Sequence, residues 1–148
     1  MHFRMTDAAN EIVGLAKEQS LSQEASYPTT LQVLLAIFDS RKTIPTVALS
    51  NLAVEKKSLL DVQIDSQLRD ISFESFGQIS AFEASVLGHS YIGPEHLLLG
   101  ICVTKECLGA YALETLKGGN IRLAVCKEVI SILGNSWRRW QLTNRALL

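Results

Sequence analysis

The sequence predicts an all-helical fold of eight short helices, arranged as two four-helix repeats related by a pseudo-twofold axis, followed by a C-terminal tail. Three observations predict it. The chain matches itself at a shift of 64 residues. Apolar residues recur at helical spacing throughout. No segment alternates apolar and polar residues in the way a half-buried strand requires.

The internal match comes first because it fixes the organisation. When residues 5–53 are set against 69–117, eight of 49 positions are identical, among them Ser26/Ser90, Tyr27/Tyr91, Leu34/Leu98, Leu35/Leu99 and Ile37/Ile101. Apolar pairs such as Ile12/Phe76, Leu15/Ile79 and Val33/Leu97 extend the correspondence. After Leu116 the register slips by about one residue around Gly118 and Gly119. Repeat one covers about 3–67 and repeat two about 71–134, which together make one domain, 1–134, with a tail at 135–148.

Each repeat reads as four helices. Thr6 or Asp7 can cap a first helix carrying Ala8, Ile12, Leu15 and Ala16 on one face. The turn Tyr27-Pro28-Thr29-Thr30 leads into a second through Val33, Leu34, Ile37 and Phe38. A third holds Val47, Ala48 and Leu52; a fourth, from about Glu55, carries Leu59, Leu60 and Ile64. In repeat two the helices fall at about 73–87, 94–103, 109–117 and 120–133, punctuated by Gly88, Gly93 and Gly118-Gly119, with Pro94 at a first-turn position where its missing N–H is not needed. Helices this short need tertiary packing, so the two repeats are expected to share their apolar faces.

Composition narrows the function. Of 148 residues, 47% are hydrophobic and 20% charged, which is the profile of a packed chain rather than a disordered one. A net charge of −1 gives no basic excess for a nucleic-acid surface. The longest apolar runs, Val33–Phe38 and Leu97–Val103, fall far short of a membrane span. The start, Met1 to Asp7, has no signal-peptide character, so a cytoplasmic location is expected. Cys102, Cys107 and Cys126 have neither disulfide-framework nor zinc spacing and are expected to be reduced, buried thiols. His89 and His96 stand seven apart without metal-site spacing, and no nucleophile–base pair stands out, so neither a metal, a cofactor nor a catalytic residue is expected.

The run Leu87-Gly88-His89-Ser90-Tyr91-Ile92-Gly93-Pro94-Glu95-His96-Leu97-Leu98-Leu99-Gly100-Ile101 resembles the LGHxYIGTEHLLLGL signature of the Clp N-terminal repeat of ClpC-type unfoldases, with Pro94 as the main departure. Ala112-Leu113-Glu114-Thr115-Leu116 is similar to that family's xVLxxLG, and Glu24–Ile37 is a degenerate copy of the signature. The resemblance spans about residues 3–134 and implies the family's eight-helix fold. In that family the domain precedes two ATPase modules and receives substrates and adaptors. Gly88 and Gly93 have the GxxxxG spacing of a phosphate loop, but Pro94-Glu95 follows where Lys-Ser/Thr is needed, so no ATP hydrolysis is expected of this chain. The resemblance implies a non-enzymatic protein-binding module, an accessory that contacts Clp ATPase, adaptor or substrate proteins. A second reading is an oligomerisation scaffold that self-associates through the tail.

The same resemblance singles out Glu95, whose counterpart in some ClpC-type domains receives phosphorylated arginine. The alternative is that Glu95 only stabilises the start of its helix. Its counterpart in repeat one is Leu31, which cannot pair with a guanidinium, so any such site is single. Arg41-Lys42 replaces the family's usual Gly/Glu-rich loop. In the tail, Trp137 and Trp140 share a helix face flanked by Arg138 and Arg139. These four either bind a partner, since Trp and Arg are common anchors, or the tryptophans fold back on the domain as a ninth element.

Overall fold

A computed structural model describes residues 3–144. Among them are nine helices and no strand: α1 (Asp7–Ser22), α2 (Thr30–Asp39), α3 (Ile44–Asn51), α4 (Lys56–Leu60), α5 (Phe73–Val86), α6 (Pro94–Val103), α7 (Leu108–Lys117), α8 (Ile121–Leu133) and α9 (Trp137–Thr143). Adding 64 to the bounds of α2 gives 94–103, the bounds of α6; adding 64 to the start of α3 gives 108, the start of α7. The repeat seen in sequence is thus a repeat of helices.

Local chemistry sets the helix starts. Thr6 caps α1, its hydroxyl accepting from Ala9 N at 3.2 Å. Thr29 and Gln32 form a reciprocal capping box on α2, Gln32 N donating to Thr29 Oγ1 at 3.0 Å and Thr29 N to Gln32 Oε1 at 2.8 Å. α5 closes through Gly88, whose φ of +78° is a left-handed conformation that costs glycine little. α4 ends earlier than expected. Ile64 lies beyond it because Asp61 caps the helix and Asp65 Oδ1 accepts from Gln67 N at 2.8 Å, a side-chain turn that competes with helix. The tail residues 137–143 form α9, and the tail beyond Asn144 lies outside the described residues.

α6 is the axis of the core. Every residue of it except Glu95 is buried, as suits a helix apolar all round, and it packs against α1, α2, α3, α5, α7 and α8. Buried residues of both repeats merge into one cluster that includes Ile12, Leu34, Leu49, Phe76, Leu98 and Ile130. No single described helix is long and apolar enough to cross a membrane.

Asp70, between the repeats, joins them. Its carboxylate accepts from Thr30 N at 2.8 Å, Thr30 Oγ1 at 2.7 Å and Leu108 N at 3.0 Å. Thr30 Oγ1 in turn accepts from Gly109 N at 2.9 Å. One carboxylate thereby meets the positive ends of α2 and α7 together. Gly109 allows this approach: a Cβ there would lie 2.7 Å from Ile101 Cγ2 and 3.2 Å from Thr30 O. Asp70→Ala is expected to lower unfolding stability by about 2–4 kcal/mol, because it strips charged hydrogen bonds from two helix starts. Asp70→Asn should lose less, and denaturant titration of both variants checks the order.

Candidate functional site

The signature turn packs around two histidines. Gly93 N donates to His96 Nδ1 at 2.7 Å, and His96 Nε2 lies 2.8 Å from His89 Nδ1. A backbone N–H can only donate, so His96 Nδ1 is the acceptor and Nε2 carries the proton. His96 therefore donates to His89. Burial, and then the neighbouring His89, lower the His96 pKa to about 4. The neutral ring is the one that can cap Gly93. Three residues after its helix start, His96 does for α6 what Gln32 does for α2.

Glu95 is folded back over this helix start. Its side chain is 17% exposed, its Oε1 is 3.8 Å from His96 Nε2, and a Cβ on Gly93 would come within 2.6 Å of Oε1. With His96 neutral, the pair is not a salt bridge. The helix start offers an anion little. Pro94 has no N–H, Gly93 N is held by His96, and His96 N and Leu97 N both reach Gly93 O. In repeat one the equivalent start, at Thr30, is filled by the Asp70 carboxylate. His89, Glu95 and His96 lie close enough to hold an ion, a grouping that their sequence spacing did not announce. His96 could give Nε2 to a metal only by moving its proton to Nδ1, against Gly93 N–H, so the donor set does not fit one.

The four tail residues are divided by the structure. Trp140 takes the fold-back alternative, as part of the core: it is 1% exposed, and its indole N–H donates to Glu83 Oε1 at 2.7 Å. Trp137 stacks on it at 5.2 Å between ring centroids and is half-buried. Arg138 and Arg139 are exposed. Burial raises the Glu83 pKa, and the Trp140 hydrogen bond opposes the rise. Arg41, in the altered loop of repeat one, is exposed and pairs with Glu11 at 2.8 Å.

One sizeable groove was not singled out in the sequence. A groove of about 610 Å³ runs between α1, α2, α4 and the start of α7, floored by Leu15, Leu31, Leu35, Leu60, Ile64 and Leu108. Its rim carries Gln19, Gln23 and Gln32, with Glu18 and the Asp39–Lys56 pair, 2.6 Å apart. Leu60 is 59% exposed and Ile64 38%. Leu31, the counterpart of Glu95, belongs to this floor. The signal available in sequence was Leu31 itself, an apolar residue at a first-turn position.

The described residues thus form a double repeat of short helices with an apolar groove in repeat one. No family model matches the chain. Curated proteins do. The chain is 29% identical over 143 residues to chloroplastic chaperone protein ClpC1 of Oryza sativa subsp. japonica, which covers 87% of this chain and 16% of that protein. It has the same identity and coverage of this chain with chloroplastic ClpC1 of Arabidopsis thaliana, at 15% of that protein. A ClpA homolog of Guillardia theta, an ATP-dependent Clp protease ATP-binding subunit, is 29% identical over 151 residues, 92% of this chain and 18% of its own length. The chain thus spans less than a fifth of the length of these relatives. The chain is similar to ClpC/ClpA chaperones over most of its length, and its all-helical architecture is consistent with a Clp-N-like fold.

Two outcomes are expected. His96→Gln keeps an acceptor for Gly93 N and stays within about 1 kcal/mol of the parent, whereas His96→Leu orphans a buried N–H and loses about 1–3 kcal/mol more in denaturant titration. Glu83→Gln tests the raised carboxyl. The contribution of the protonated acid is fully present below the ordinary carboxylate range and is lost as pH rises through the raised value, so the thermal midpoint of the Gln variant should gain on the parent as pH rises above the ordinary carboxylate range. A pH-independent difference contradicts this.

Proposed function

We propose that the chain is a non-enzymatic protein-binding module of a Clp unfoldase system, taking apolar segments of adaptor, substrate or Clp proteins into the repeat-one groove. The observation that carries this reading is the similarity to ClpC/ClpA chaperones over 87% of the chain, in a fold that opens an apolar groove of about 610 Å³ in repeat one. The groove suits a peptide. Its floor is leucine and isoleucine, and its rim glutamines offer both donors and acceptors to an extended backbone.

Glu95 is assigned the helix-start role, because so few N–H donors remain beside it. Arg138 and Arg139 form a secondary contact face. The scaffold reading is weaker for having lost Trp140 to the core. We assign no reaction to the chain. Its place of action is proposed to be a soluble compartment, the cytoplasm or, from the chloroplastic relatives, a plastid.

The test is an affinity titration of the full chain against a ClpC-type unfoldase and its adaptors. Leu60→Glu and Ile64→Glu are expected to weaken binding about tenfold or more while folding stability changes by less than about 0.5 kcal/mol. Free phospho-arginine should not compete. Undiminished binding by both variants overturns the groove assignment, and failure to bind any Clp subunit or adaptor overturns the function.

A further inference from the structure

Cys102 on α6 and Cys126 on α8 line one small cavity where these two helices pack. Both residues are 2% exposed. A cavity of about 80 Å³ lies beside them, lined by the two cysteines together with Gly119, Asn120, Arg122 and Trp140. That is room for several water-sized molecules. The third thiol is occupied differently. Cys107 caps α7, its sulfur accepting from Ala110 N and donating to Ile101 O, each at 3.5 Å.

Two buried thiols that border one cavity can bond if their side chains turn toward each other, since a disulfide draws the sulfurs to about 2.05 Å. The adjoining cavity leaves the side chains space to turn and admits a small oxidant. We propose that Cys102 and Cys126 are a peroxide-sensitive pair that oxidises to an intramolecular disulfide joining α6 to α8.

The chemistry balances with hydrogen peroxide as the oxidant. One thiolate attacks a peroxide oxygen; the S–O bond forms, the O–O bond breaks and hydroxide leaves, taking up the thiol's proton as water. The second thiol then attacks the sulfenic sulfur. The S–S bond forms, the S–O bond breaks and a second water leaves. Two electrons pass from the pair of sulfurs to peroxide.

Proximity rather than acidity drives this pair. The Cys126 contact, and then burial, push the Cys102 thiol well above its ordinary range, and the Arg122 guanidinium only partly opposes them. Arg122 is fixed nearby by its Nη1 bond to Cys102 O at 2.9 Å. Little thiolate is present at neutral pH, so oxidation should be slow there and quicken with pH.

The experiment treats the folded full chain with hydrogen peroxide, alkylates the remaining thiols and maps the peptides by mass spectrometry. Two of the three thiols should be lost together, with a peptide linking Cys102 to Cys126 that dithiothreitol reverses. The rate should rise up to about tenfold per pH unit in the alkaline direction. Cys107→Ser should form the same link, and Cys126→Ser should form none. Three persisting thiols, a link through Cys107, a link between two chains, or over-oxidation of one cysteine without a link overturns the proposal.

Discussion

The carboxylate of Asp70 is the contact on which the rest of the structure depends. It stands between the repeats and binds the first turns of α2 and α7, one from each. Without an anion there, two positive helix ends would face one another across Thr30 and Gly109. With it, α2 can lie along α7 and α6, and apolar faces from both halves close over a single core. The clasp also fills the helix start in repeat one, so that end of α2 is closed to an outside anion.

From this constraint the two repeats part company in what they offer a partner. At its signature turn, repeat two faces inward. Its signature histidines serve the capping of α6, and Glu95 lies over the same turn. Repeat one turns outward. Its first-turn residue is Leu31, its fourth helix is a short α4, and Leu60 and Ile64 stand open over a leucine floor. At the first-turn position where repeat two has Glu95, the degenerate copy of the signature has Leu31, and this apolar residue belongs to the groove floor. The tail reinforces the division. Trp140 anchors α9 through Glu83 on α5, a helix of repeat two.

Most of the architecture was legible in the sequence because it is periodic. The 64-residue shift carries α2 onto α6 without error, and Gly93, Pro94 and Thr29 marked the starts of those helices. What the sequence left open depends on contacts distant along the chain. Asp70 matches Thr6 in the repeat register, yet it reaches 40 residues back to Thr30 and 38 forward to Leu108 instead of capping its own helix. His89 and His96 looked unrelated at a spacing of seven, but the turn at Gly93 folds one ring onto the other. The sequence left open whether Trp140 binds a partner or folds back, and the buried Glu83 opposite, which its indole N–H reaches, places it in the core. The fourth helix was drawn too long because Asp65 satisfies a backbone donor locally, which apolar spacing does not report.

The central claim is that repeat one carries the docking surface while repeat two supplies the frame. Amide hydrogen exchange of the full chain, alone and in the presence of a ClpC-type unfoldase with its adaptors, tests this most directly. The account predicts new protection in the last turns of α1, in α2 and around α4, with the α6 start and α9 unchanged. Protection confined to the α6 start or to α9 would contradict it.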